Sequence, residues 1–176
     1  MTVALQILLV WLVLQAAVTD LAIRRIPNVL VLAGLAIALA LHWRAGPAGL
    51  LLSTWLAGIV TGFFLFLPLY LLRGMAAGDV KLMAMTGAFV GPALALRIAL
   101  LTCLIGGVMA VVIVIHNGRW RILCRNLVAM LTPLLVSLGG VPQTRVALPR
   151  DASAGGIPYG VAIALGTVCV VVQPHL

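Results

Sequence analysis

The chain reads as a succession of apolar runs separated by short polar interruptions. The first run, Val3 to Thr19, is followed by Asp20-Leu-Ala-Ile-Arg-Arg-Ile-Pro-Asn28. In that connector Pro27 biases Ile26 away from helix, and Asn28 is placed to cap a helix that starts at Val29. The second run extends to about Leu41. His42-Trp43-Arg44-Ala-Gly-Pro then forms an interfacial turn with Trp43 at headgroup level, and a third run covers Leu50 to Leu72 with Pro68 inside it. Residues 73 to 81 are polar and contain glycine. Beyond them, residues 82 to 96 and 98 to 115 are apolar and divided by Arg97, which predicts two spans joined by a tight turn. The shorter would be about 22 Å long at ~1.5 Å per residue, so it either thins the bilayer or starts inside a protein cavity. From Trp120 onward, Leu123, Cys124, Leu127, Met130, Leu131 and Leu134 recur at helical steps while Arg121 and Arg125 lie off that stripe. This is the pattern of a helix lying in the interface. A last run covers Gly156 to Val172.

The runs together predict an all-α fold, a polytopic membrane bundle of about six transmembrane helices plus an interfacial amphipathic helix. Residues 1–176 form a single membrane-embedded domain in this reading, with 119–150 as its cytoplasmic or interfacial segment. The opening run lacks a basic n-region and a small-residue cleavage site, so it reads as a span and not as a removable signal peptide.

Composition removes the main competing class. Hydrophobic residues make up 64% of the 176 and charged residues 8%, whereas soluble domains run near ~45–50% apolar and ~25% charged. With a mean hydropathy of +1.28, a water-soluble enzyme is excluded. Charge then adds orientation. Eleven basic residues stand against three acids, Asp20, Asp79 and Asp151, for a net charge of +8. The basic residues are scattered singly or in pairs between apolar runs, which suits the positive-inside pattern and not nucleic-acid binding. With six spans, one side holds Arg24, Arg25, Arg73, Lys81, Arg119, Arg121, Arg125, Arg145 and Arg150, and the other holds two basic residues. A seventh span over 122–141 would move Arg145 and Arg150 across and weaken this bias, so six spans are preferred, with the N-terminus outside and the basic loops cytoplasmic.

Cys103, Cys124 and Cys169 are far apart with no CxxC pair and read as small apolar core residues. His42, His116 and His175 lie at span ends and read as solvated interface positions, so no metal and no cofactor are expected. The acids are more informative. Asp20 ends the first run and Asp79 begins the fourth, both on the cytoplasmic side. A carboxylate at a membrane boundary is costly unless it is solvated or paired. Two readings are open from position alone. Asp20 pairs with Arg24 and Asp79 with Lys81 as solvated loop charges, or the two carboxyls share a proton, one acting as acid and the other as the base that activates water.

Four sequence words bear on that choice: Asp20-x3-Arg-Arg-Ile-Pro-Asn28, Ala-Gly78-Asp79-Val-Lys81-Leu-Met-Ala84, Gly87-Ala-x-x-Gly91 and Ile157-Pro-Tyr-Gly160-Val-Ala-Ile-Ala-Leu-Gly166. In that order they resemble the type IV prepilin peptidases, intramembrane aspartyl proteases of the GxGD type. The resemblance runs from Val18 to Gly166. It implies that Asp20 and Asp79 are the catalytic pair, with Asn28, Gly78, Lys81, Pro158 and Tyr159 binding substrate or shaping the site. It further implies a prepilin or pseudopilin substrate cut near the cytoplasmic face of a bacterial inner membrane, with membrane lipids and pilus or secretion assembly machinery as partners. Where the family pattern has glycine three before the second Asp, this chain has Ala76. No cysteine insertion follows the first span, so the chain looks like the short Flp/Tad-pilus branch, a peptidase without methyl transfer. Two other functions compete: a small proton-coupled transporter relaying protons through Asp20 and Asp79, and a catalytically inactive scaffold of a pilus assembly machine, which the alanine at position 76 motivates.

Overall fold

The computed structural model describes residues 3–45, 51–72, 74–116, 118 and 158–172, and among these every regular element is helical. In chain order they are α1 (Val3–Ile23), α2 (Asn28–Ala45), a π-helical stretch (Leu51–Leu56) that continues into α3 (Ala57–Leu71), α4 (Ala77–Val90), α5 (Pro92–His116) and α6 (Tyr159–Val172). Among the described residues three segments are long and apolar enough to cross a membrane, Val3–Ile23, Ser53–Leu71 and Pro92–His116, and Asn28–Arg44 and Tyr159–Val172 are shorter apolar helices. The chain divides into two compact units, residues 1–106 with 158–176, and residues 107–157.

In the first unit α4 occupies the centre. From Leu82 to Val90 every residue is buried, and α1, α2, α3 and α6 all pack against this helix. A helix that is apolar on all sides belongs inside protein. Its 14 residues are shorter than a bilayer span, and from Leu82 on they pack against protein on all sides. The packing against α3 is at backbone distance. A β-carbon on Gly58 would overlap the carbonyl of Gly87, and one on Gly87 would overlap the carbonyl of Gly58. Small residues let helices approach this closely where lipid offers no competing hydrophobic drive. Trp55 in the π-helical stretch donates its indole N–H to the Leu35 carbonyl at 3.2 Å, tying that stretch to α2.

Several expected boundaries move. Helix α1 runs one turn beyond Thr19, to Ile23, and ends where Arg24 takes a left-handed backbone conformation (φ 51°) with its N–H on the Asp20 carbonyl at 2.9 Å. Asp20 therefore lies in the last turn of a helix and not in a connector. The apolar and helix-forming Leu21, Ala22 and Ile23 carry the helix onward. Helix α2 begins at Asn28 itself, with the Pro27 carbonyl accepting the N–H groups of Leu30 and Val31, so the Asn28 side chain is not the cap. The break in the fourth apolar stretch falls at Gly91, and Arg97 sits exposed inside α5. Gly91 has φ 79° and Pro92 follows it. Glycine accepts this conformation freely, and proline starts a helix without a missing partner for its nitrogen.

That turn leaves one carbonyl without its helical donor. The N–H that would bond Ala88 belongs to residue 92, a proline, which has none. His42 replaces it: Nε2 lies 3.1 Å from the Ala88 oxygen, so this nitrogen carries the hydrogen. His42 is thus buried and not at a solvated interface position, because α2 continues to Ala45 and turns this side chain onto α4. His116 is exposed as expected. Cys103 and Cys169 are free and exposed. In a membrane bundle an apolar side chain is as well placed facing lipid as facing the core, which is why apolar character alone misassigns them.

In the second unit the described residues are 107–116, which complete α5, and Gly118, whose N–H donates to the Ile115 carbonyl at 3.0 Å and whose φ is 64°. The expected interfacial helix of 119–150 lies outside the described residues, as do Cys124, Asp151 and His175.

Candidate active site

The buried face of α1 is the stripe Leu5, Leu9, Leu12, Val13, Ala16, Ala17 and Asp20, and the opposite stripe, Val3, Ile7, Trp11, Leu14, Val18 and Leu21, is exposed. Asp20 thus continues a core-facing row at three- and four-residue steps. Its exposure is 8% and that of Asp79 is 4%. Asp79 reaches burial from the other direction: it occupies the first turn of α4, the helix that protein surrounds. Helices α1, α4 and α6 pack against one another, and the aspartate-bearing ends of α1 and α4 meet the first turn of α6.

Each carboxyl is held by a backbone N–H. Asp79 Oδ2 accepts from the Ala76 N–H at 3.0 Å, a reach back across the helix start that satisfies a donor left over at the N-terminus. Asp20 Oδ2 accepts from the Gly160 N–H at 2.8 Å. Gly160 also supplies room, since a β-carbon there would lie 2.8 Å from Asp20 Oδ2 and 2.9 Å from its Cβ. The position of Gly160 just after a proline at a helix start is the trace it leaves in the sequence. Helix α6 begins where the Pro158 carbonyl accepts the Val161 N–H at 3.1 Å. Tyr159 is half-buried beside Gly160.

Lys81 Nζ donates to Asn28 Oδ1 at 3.1 Å, so the spacing-based pairing of Lys81 with Asp79 gives way to a bond between the starts of α2 and α4. With His42 on Ala88 at the other end, α2 and α4 run parallel. Gly78 faces Ile26, 3.4 Å from where a β-carbon would sit, an ordinary contact distance, and it has no positive φ. The exposed Ala76 is extended (φ −82°, ψ 155°), a conformation open to any L-residue. Nothing in the backbone at this position requires glycine.

A family model described as the type IV leader peptidase family matches residues 7–111, a stretch that includes both aspartates. Neither the curated proteins nor the solved structures yield a match.

Proposed function

We propose, from the premise that the chain belongs to the type IV leader peptidase family and is a membrane protein with a protease's chemistry, that it is an aspartic endopeptidase. Its substrate is the leader of a type IV (Flp-type) prepilin or pseudopilin, cut at the cytoplasmic face of the bacterial inner membrane without methylation of the new N-terminus. The observation that carries this reading is the placement of two buried carboxyls, Asp20 and Asp79, on helices that pack together, each anchored by a backbone N–H from a different helix start. In this reading the two carboxyls share one proton, as paired carboxyls in aspartic proteases do. The ionised one takes a proton from water, whose oxygen attacks the scissile carbonyl carbon. The protonated one gives its proton to the amide nitrogen as the C–N bond breaks. Water and two carboxyls suffice for this sequence, without metal or cofactor.

In this reading Asn28, Gly78, Lys81, Pro158 and Tyr159 shape the site and meet substrate. The extended backbone of Ala76 supports an active enzyme over an inactive scaffold. The transporter reading would call for polar side chains open to a path, whereas the buried hydroxyls of Thr86 and Thr167 each return to a carbonyl of their own helix. Co-expression with a Flp-type prepilin, followed by size on a gel, tests the assignment. Asp20→Asn and Asp79→Asn should each reduce cleavage by a factor of about 10³ or more, and the double variant should be little worse, since members of one catalytic unit are not additive. Near-normal processing by either variant removes that residue from the mechanism.

The six-span topology, with the N-terminus outside and both aspartates at the cytoplasmic face, rests on the distribution of basic residues. After replacement of the native cysteines, a reporter cysteine at Arg24, Met75 or Thr144 should resist impermeant reagents in intact cells, and one at Ala45 should react. Labelling of positions 24 and 75 from opposite sides would separate the aspartates and end the peptidase assignment.

A further inference from the structure

Gly106, on the buried side of α5, lies outside every motif that carries the family resemblance. A β-carbon there would stand 2.8 Å from Cε1 and 3.2 Å from Cδ1 of Tyr159, and 3.8 Å from the Ala162 Cβ. The Tyr159 ring therefore occupies the space that any larger residue at 106 would fill. Ordinary carbon contacts are about 3.5–4.0 Å, so an alanine would displace the ring by roughly half an ångström to one ångström. Tyr159 cannot yield without consequence. It is the first residue of α6 and directly precedes Gly160, whose N–H holds Asp20.

We propose that Gly106 is a positioning residue of the active site: the missing side chain on α5 seats the Tyr159 ring and, through it, fixes the first turn of α6 against the two aspartates. This rests on the peptidase reading given above. The neighbouring Gly107 provides an internal control, because a β-carbon there meets nothing within 4 Å.

The test uses the full chain purified in detergent, with prepilin cleavage as the first readout. Gly106→Ala should lower kcat by a factor of about 10 to 100, the effect of displacing a catalytic constellation by a fraction of an ångström to one ångström. Gly107→Ala should stay within about twofold. In a Tyr159→Ala chain, where the ring is gone, adding Gly106→Ala should cost less than about twofold, because the two positions act through one contact. A loss that persists undiminished in the Tyr159→Ala background, or near-normal cleavage by Gly106→Ala, would overturn the proposal. The second readout needs no activity. Cys103 lies one turn before Gly106 on the same helix, and Gly106 faces the Tyr159 ring. With Cys124 and Cys169 replaced by serine, its maleimide reaction rate should change severalfold on Gly106→Ala and not on Gly107→Ala. An unchanged rate overturns the contact itself. If labelling responds as expected but the unmodified chain cleaves no prepilin, the contact stands and the peptidase reading falls, taking with it the catalytic meaning of Gly106.

Discussion

The two ends of α4 are held in different ways. At its start, Asp79 and Asp20 are fixed by single hydrogen bonds from backbone N–H groups, and Lys81 and Asn28 join α2 to α4 by one side-chain bond. Toward its other end, Gly87 and Gly58 bring two backbones into direct contact, and His42 grips the Ala88 carbonyl. The first end is polar and built from directional contacts that a proton or a substrate can rearrange. The second is close-packed and leaves no room for adjustment. The difference teaches a division of labour: a rigid end sets where the helix lies, so that the polar end can change protonation state without losing alignment.

Substitutions can break that division. After loss of either aspartate, the largest effect is expected at Gly160. Gly160→Ala forces Asp20 aside and should lower cleavage by about two orders of magnitude, with the folded fraction in detergent nearly unchanged. Cleavage within twofold of normal would show that Asp20 does not depend on this anchor. Next comes Gly87→Ala, which overpacks the rigid end against the Gly58 carbonyl. It should destabilise the protein by about 2–3 kcal/mol, read as a lowered unfolding midpoint in detergent, and activity should fall only as folded protein is lost. A Gly87→Ala chain with unchanged midpoint but lost cleavage would reverse the assignment of roles to the two ends. The smallest effect is expected at His42→Leu, which removes one hydrogen bond to a buried carbonyl at a cost of about 1–2 kcal/mol. The pH dependence of cleavage should be unaffected, because His42 stands at the end of α4 away from the aspartates, and a shifted pH profile would place it in the catalytic machinery.

Much of this arrangement is legible in the sequence, and the exceptions have physical causes. The starts and ends of apolar runs locate α1, α2, α3 and α6 to within a few residues, because a long run of apolar residues is itself the signal. The burial of Asp20 can be read from its register with Val13, Ala16 and Ala17. The division of residues 82–115 cannot be read from apolar periodicity, since almost every position there is apolar and Arg97 is the conspicuous interruption. The actual break depends on backbone, through a glycine with positive φ followed by proline. The Asp20 anchor is hidden for a related reason: its donor is a main-chain N–H, which every residue but proline possesses and no letter identifies. Asn28 and His42 each carry a side chain whose partner lies on a distant helix, and spacing along one helix does not reveal such a bond.

The bond from His42 to Ala88 also has a bearing on the order of assembly. A buried backbone carbonyl left without a donor costs about 1–2 kcal/mol, and Pro92 guarantees that α4 and α5 together cannot supply a donor for this one. The donor comes from 46 residues earlier in the chain. During synthesis α2 therefore emerges before the helix that needs it and is already available when α4 enters the bundle. Were the segments rearranged by circular permutation so that α4 emerged first, its end would wait incomplete in the bilayer until α2 arrived. The natural order of the helices makes the earlier segment a template for the later one.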